Sequence, residues 1–103
     1  HLPVVDGSKV VGIVTDRDVK RATPSVLSGV DRDEYDRVLT TTKVAQFMTR
    51  EPITVTPKSG LKAAVKIFIE RKVGALPVVE HDRLVGILTD IDILRAAHDL
   101  LAD

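Results

Sequence analysis

The sequence predicts a mixed α/β (α+β) fold made of two β-hairpin-plus-helix units. Residues 2–22 read LPVVDGSKVVGIVTDRDVKRA and residues 76–96 read LPVVEHDRLVGILTDIDILRA, with 12 of the 21 positions identical. Aromatic residues make up only 3% of the chain, so the core must consist of Val, Ile, Leu and Ala, which suits a sheet backed by helices. Because neither copy can bury its apolar face alone, we expect the copies to pack together and leave clefts at their junction.

Length, charge balance and apolar content limit the classes of protein to which this chain can belong. A length of 103 residues fits one compact domain or a tight pair of half-sized modules. The 15 Lys and Arg residues balance the 15 Asp and Glu residues, so no net field favours nucleic acid as a partner. The chain has no cysteine and no apolar run near the roughly 18–20 residues of a membrane span. We therefore expect a cytoplasmic protein without a membrane segment in this chain.

The first unit is a hairpin followed by a helix. Two apolar strands, Val4–Val5 and Val10–Val14, flank an Asp-Gly turn that is typical of β-hairpins. The second strand leads directly into Thr-Asp-x-Asp and an apolar periodicity over 19–22. This pattern predicts a helix, which Pro24 limits.

The second unit is longer than the first. Ile53–Val55 is predicted as a short strand, and an apolar stripe from Leu61 to Ile69 predicts a helix with one buried face. A second hairpin follows at 78–88, and a last helix is predicted over 91–101.

We divide the chain into three parts on this basis. Residues 1–23 are the C-terminal half of a first module, residues 24–43 are an inter-module linker with a short helix, and residues 44–103 are a complete second module. Because His1 aligns with Ala75, the first module is expected to be truncated at its N-terminus. We expect its bare sheet edge to be covered by preceding residues or by another chain.

Several motifs together resemble a cystathionine-β-synthase (CBS) domain pair, also called a Bateman module. They are Phe-Met-Thr at 47–49, Gly-Ala-Leu-Pro-Val-Val at 74–79, and the repeated Gly-Ile-Val-Thr-Asp-x-Asp at 12–18 and Gly-Ile-Leu-Thr-Asp-x-Asp at 86–92. The long inter-module segment is also similar to bacterial stand-alone CBS proteins of the acetoin-utilisation (AcuB) type. The resemblance implies two modules packed about a pseudo-twofold axis, with two clefts that bind adenosyl ligands.

The duplicated Gly-h-h-Thr-x-x-Asp motif, in which h is apolar, carries the candidate site. A strand that passes directly into a helix leaves unpaired backbone N–H groups at the helix start, where phosphate is stabilised. By the family pattern, Asp18 and Asp92 would hold the ligand's ribose, and Thr15 and Thr89 its phosphate. The same spacing is typical of helix capping, with Thr as the N-cap, and the two roles can coexist.

The resemblance also implies an apolar slot for adenine. The second module would supply this slot, beside Gly86, from two segments: Ile53, Thr54, Val55, Ala75, Leu76 and Pro77. The first module offers only Leu2 and Pro3, so the second site is predicted to be complete and the first incomplete. Arg17 is either a phosphate ligand or a solvated side chain, and Ile91 takes its place in the second copy.

The expected function is regulation by a small molecule. The module would bind an adenine nucleotide (AMP, ADP or ATP) or S-adenosylmethionine, form a homodimer and modulate an attached or partner protein. We expect no required cofactor, no metal site and no enzymatic activity, because the sequence contains no constellation of nucleophile, base or metal ligands. The alternative is a structural dimerisation or protein-interaction module without a small-molecule ligand.

Overall fold

The computed structural model describes residues 1–22 and 31–101. In these ranges two β-hairpins combine with four α-helices, one 3₁₀ helix and one further short strand. The elements in chain order are β1 (Leu2–Asp6), β2 (Lys9–Val14), α1 (Asp16–Ala22), α2 (Arg32–Thr41), a 3₁₀ helix (Val44–Gln46), β3 (Thr49–Arg50), α3 (Leu61–Arg71), β4 (Ala75–Glu80), β5 (Arg83–Thr89) and α4 (Asp90–Leu100). The mixed α+β fold is confirmed. The predicted limit at Pro24, and with it the boundary after residue 23, lies outside the described residues.

The sequence repeat is also a structural repeat. The antiparallel registers run from Leu2↔Val14 to Asp6↔Lys9 in the first hairpin and from Ala75↔Thr89 to Glu80↔Arg83 in the second. Both ladders shift register at the equivalent place, between Val4 and Val5 and between Val78 and Val79. Such a bulge bends its strand and increases the local twist. The shared irregularity shows that the two copies fold alike.

The segment after the 3₁₀ helix connects the sheets of the two modules. β3 pairs antiparallel with β2 at Gly12↔Arg50 and Ile13↔Thr49, which makes a three-stranded sheet in the first module. A few residues later, Val55 forms a parallel bridge with Val78 in the second module. The chain therefore passes from one sheet to the other over a very short distance in sequence.

The predicted strand at Ile53–Val55 is wrong in extent. Of these three residues only Val55 pairs with a strand, through an isolated parallel bridge to Val78. Its N–H donates to the Pro77 carbonyl at 3.0 Å. Pro52 has no N–H to donate, and Glu51 has a φ of 50°, in the left-handed region that interrupts a strand. These two residues turn the chain between the sheets.

The core of the second module is small. Its buried residues Val55, Ala64 and Leu76 are packed by half-buried apolar side chains: Ile67, Phe68, Val73, Val78 and Leu88. The predicted stripe on α3 is wrong at both ends, since Leu61 is 56% exposed and Ile69 is 71% exposed. The helix turns its Ala64 face inward, because that face packs against the bridge at Val55.

The two modules also contact each other directly. The backbone N–H of Leu84 donates to the carbonyl of Ser8 at 3.0 Å, which joins β5 to the turn of the first hairpin. Together with the crossing at β3, this bond places the hairpins side by side with a cleft between them. Within the described ranges, no helix combines the length and apolarity needed to cross a bilayer.

We predict that Gly12→Ala destabilises the protein and that Gly86→Ala does not. A Cβ on Gly12 would lie 2.5 Å from Met48 Sδ and 3.0 Å from the Thr49 carbonyl oxygen, so β3 would have to move away from β2. On Gly86, the equivalent residue of the second copy, the nearest atom would be Val78 Cβ at 3.8 Å, an ordinary contact. Overpacking costs about 1–3 kcal/mol, which lowers the Tm by roughly 4 °C or more in thermal unfolding. Equal Tm values for the two variants would contradict the close packing of β3 on β2.

Candidate functional site

Each Thr-x-x-Asp corner forms a reciprocal capping arrangement at a helix start. In the first copy, the Thr15 N–H donates to Asp18 Oδ2 (2.9 Å) and the Asp18 N–H donates to Thr15 Oγ1 (3.2 Å). Thr89 and Asp92 make the same two bonds in the second copy, at 2.9 and 3.2 Å. The backbone N–H of the threonine lowers the pKa of each aspartate. The capping role is therefore confirmed for both corners, and each helix starts directly after its threonine.

The two aspartates differ in their surroundings. Asp18 is only 2% exposed, because Arg21 Nη2 lies 2.6 Å from its Oδ1 and Thr49 Oγ1 of β3 lies 3.4 Å from both carboxylate oxygens. The Thr15 N–H lowers the pKa of Asp18 most strongly; burial opposes this effect, and the Arg21 guanidinium adds to it. Asp92 is exposed, and among the described residues its carboxylate accepts hydrogen bonds only from its own corner.

A cleft of about 400 Å³ lies between the first module's corner and the second module. This volume is within the range of small-molecule sites. The first copy contributes a wall that carries the corner residues: Ile13, Thr15, Asp16, Arg17, Asp18 and Arg21. The second module contributes the segment after β3 and the passage from α3 to β4: Glu51, Pro52, Ile53 and 72–76. His1 and Thr49 also line the cleft.

The structure groups the predicted site residues differently from the sequence prediction. The sequence predicts a complete site around Asp92, but Ile53, Ala75 and Leu76 line the cleft that holds Asp18. In this structure those three residues therefore lie opposite the first corner, and a complete site at the second corner stays a prediction. The physical reason is β3, which joins the first module's sheet and so places the next segment, with Ile53, opposite the first module's corner. The corner at Asp92 does not line this cleft.

Four other predicted residues lie away from the cleft. Thr54 is exposed, whereas Pro77 is fully buried. Val55 and Gly86 line a separate groove beside β5 and the start of α3. Only part of the predicted adenine slot therefore lines the cleft with Asp18.

Sequence reasoning missed several polar side chains of the cleft, among them Arg21, Thr49 and Lys72. Arg21 recurs as Arg95 in the second copy, so the repeat itself could have pointed to it. Thr49 ends the Phe-Met-Thr motif, but only the pairing of β3 with β2 brings it to Asp18. Lys72 is the C-cap of α3 with a φ of 52°, a conformation that favours glycine, so the sequence carried no signal for it.

The cleft combines groups suited to different parts of a ligand. The carboxylate of Asp18 accepts hydrogen bonds from hydroxyl groups. Arg17 and Lys72 provide positive charge for an anionic group, and Ile53 and Ala75 provide an apolar wall. No group of three or more His, Cys, Asp or Glu side chains suited to a metal ion occurs in the described parts of the chain. The arrangement is suited to binding.

Comparisons of sequence identify the family. A CBS domain model matches residues 1–25 and 44–99. A CBS domain-containing protein of Dictyostelium discoideum is 36% identical over 96 residues, which cover 91% of this chain and 66% of that protein. An inosine-5'-monophosphate dehydrogenase of Korarchaeum cryptofilum is 38% identical over 99 residues, which cover 94% of this chain and 18% of that protein. The chain thus spans less than two thirds of the length of either relative.

Solved structures share the fold over nearly the whole chain. CBSX2 in complex with AMP has a TM-score of 0.74 and 30% identity, covering 98% of this chain and 72% of that one. A protein assigned to acetoin utilization (AcuB) from Vibrio cholerae has a TM-score of 0.73 and 34% identity, covering 96% and 67%. The CBS domain pair of protein MJ0100, in complex with 5'-methylthioadenosine and S-adenosyl-L-methionine, has a TM-score of 0.72 and 28% identity, covering 93% and 71%. The chain belongs to the CBS domain family and has the fold of a tandem CBS domain pair.

Proposed function

We propose that this chain is a regulatory module that binds an adenosyl ligand in the cleft around Asp18. The observation that carries the proposal is the convergence in one cleft of the Asp18 carboxylate, the Arg17 cation and the apolar residues Ile53 and Ala75 of the other module. An adenosine phosphate has hydroxyl, anionic and flat apolar parts that match these three groups. Of the solved relatives, CBSX2 is bound to AMP and the MJ0100 pair to two adenosyl compounds, which supports this ligand class.

Each polar group of the corner has a role in this proposal. A carboxylate has about four acceptor positions, and the bonds from the Thr15 N–H and from Arg21 Nη2 use two of those on Asp18. The others can accept the hydroxyl hydrogens of a ribose. Thr15 Oγ1 accepts the Asp18 N–H, so its own hydrogen is available to a phosphate oxygen. Arg17 and Lys72 would add charge-assisted hydrogen bonds to the same phosphate.

The second corner has a different role in this proposal. Thr89 and Asp92 cap α4 and do not line the cleft around Asp18, and a separate ligand at their own corner stays a prediction. A ligand at Asp18 would touch both modules, so it would favour one packing of the modules over another through unequal affinity. The proposal includes a cytoplasmic, non-catalytic protein that modulates an attached or partner protein.

We predict that AMP raises the thermal stability of the chain and that Asp18→Ala reduces this effect. Ligand at 100 times its Kd adds about 2.7 kcal/mol, on the order of 10 °C in Tm for a domain of this size. Loss of hydrogen bonds to a charged acceptor should weaken AMP binding by roughly 10-fold or more in isothermal titration calorimetry. Asp92→Ala removes the matched aspartate of the exposed corner and should retain the parent Kd.

Two outcomes would count against this assignment. No change in Tm with millimolar AMP, ADP, ATP or S-adenosylmethionine would contradict the binding function. Equal loss of affinity in Asp18→Ala and Asp92→Ala would contradict the placement of the ligand at the first corner. Both substitutions remove one of the two reciprocal capping bonds at a helix start, so circular dichroism of the two variants provides the control for folding.

A second candidate function is self-association or protein interaction through α4. Two large apolar side chains on one side of this helix are exposed: Ile91 (50%) and Leu94 (63%). Exposed apolar side chains on one face of a helix are typical of an interface between chains. This observation favours a homodimer, which is compatible with ligand binding in the cleft.

We predict that the chain is dimeric and that Leu94→Glu shifts it toward monomer. A carboxylate in an apolar interface loses its hydration without gaining a partner, which weakens association. Ala96→Glu adds the same charge two residues along, and therefore on the other side of α4, so it should keep the parent mass. Light scattering after size-exclusion chromatography measures this, and a monomeric parent or equal behaviour of the two variants would argue against the α4 interface.

A further inference from the structure

The Asp18 carboxylate is nearly inaccessible although it borders two cavities. It is 2% exposed, yet it lines both the inter-module cleft and a second cavity of about 510 Å³ beside Phe47 and Met48. Arg21 and Thr49 also line both cavities. The cluster of Arg21, Asp18 and Thr49 therefore lies between the two cavities. Within it, Arg21 and Thr49 cover the Asp18 carboxylate oxygens that would accept hydrogen bonds from a ligand.

The second copy shows that local sequence alone does not produce this cover. Thr89, Asp92 and Arg95 occupy the positions of Thr15, Asp18 and Arg21 in the repeat. Asp92 is nevertheless exposed, and in the described part of the chain it has no hydrogen bond to Arg95. At the first corner, β3 brings the Thr49 hydroxyl to the Asp18 carboxylate from a part of the chain outside the repeat unit.

Thr49 is the most easily displaced of the groups that donate to Asp18. Arg21 Nη2 lies 2.6 Å from Oδ1 and the Thr15 N–H lies 2.9 Å from Oδ2, whereas Thr49 Oγ1 lies 3.4 Å from both oxygens. A hydroxyl carries one hydrogen, so Thr49 can serve only one oxygen at a time, over a long distance. Two hydroxyls of a ligand could serve both oxygens at shorter distances.

We propose that Thr49 is a latch on the Asp18 carboxylate and that a ligand in the cleft displaces it. This inference rests on the proposed function. β3 has only two residues, and its two pairs with β2 are Gly12↔Arg50 and Ile13↔Thr49, so few bonds hold it in place. Release of Thr49 would loosen β3, which lies between the 3₁₀ helix and the segment that leads into the second module. Ligand binding would in this way alter the contact between the modules.

Calorimetric titration with AMP tests the latch by removing its hydroxyl. Thr49→Val keeps the shape and the preference for a strand but has no hydroxyl. The Asp18 carboxylate then has one donor fewer to exchange for the ligand. AMP should bind about 2- to 10-fold more tightly, the range of an ordinary hydrogen bond, because the bond from Thr49 is long at 3.4 Å. Thr49→Ser restores the hydroxyl and should return the affinity toward that of the parent. Unchanged or weaker binding of AMP by Thr49→Val would overturn the latch.

Hydrogen exchange of the backbone amides provides a readout that needs no ligand. In the unliganded protein, the amides of β3 should exchange faster in Thr49→Val than in Thr49→Ser, because the link from β3 to Asp18 is lost. Equal rates in these two variants would overturn the latch whether or not AMP binds. If β3 exchanges faster in Thr49→Val and no variant binds AMP, the contact stands and the proposed function fails, and with it the displacement by a ligand.

Discussion

The pairing of β3 with β2 is the contact on which the rest of the site depends. It involves only Thr49 and Arg50, but these residues lie at the point where the chain leaves the first module's sheet and turns toward the bridge at Val55. The close approach requires Gly12, since a Cβ there would meet Met48 and the backbone of Thr49. One short ladder thus covers the first corner and also places the second module opposite it.

The two corners show how tertiary contacts change the chemistry of one motif. Asp18 and Asp92 cap their helices with the same hydrogen bonds, and the same threonine N–H lowers the pKa of each. Only Asp18 is buried, and a buried carboxylate is stable only when hydrogen-bonded or paired. Arg21 supplies the paired charge. Charge interactions are stronger away from water, so the Arg21 guanidinium stabilises the covered carboxylate more than it would stabilise an exposed one.

Sequence periodicity predicted the positions of the helices and strands well, and it predicted less well which face of a helix is buried. Both hairpins and the helices after them follow directly from the repeat, because the turn and capping signals lie within a few residues. The stripe on α3 was wrong at Leu61 and Ile69, since the small core around Val55 covers only the Ala64 side of the helix. The strand predicted at Ile53–Val55 pairs only at Val55, because the chain turns at Glu51 and Pro52 just before it.

The sequence by itself determined the family, the duplicated hairpin-and-helix unit and the capped Thr-x-x-Asp corner, because each of these depends on residues close together in the chain. Only the tertiary structure decided which residues cover Asp18 and which apolar residues face it. Thr49 reaches Asp18 across a separation of 31 residues, a contact that no local pattern encodes. The repeat predicted the corner itself, and the path of the chain through β3 supplied the contacts around it.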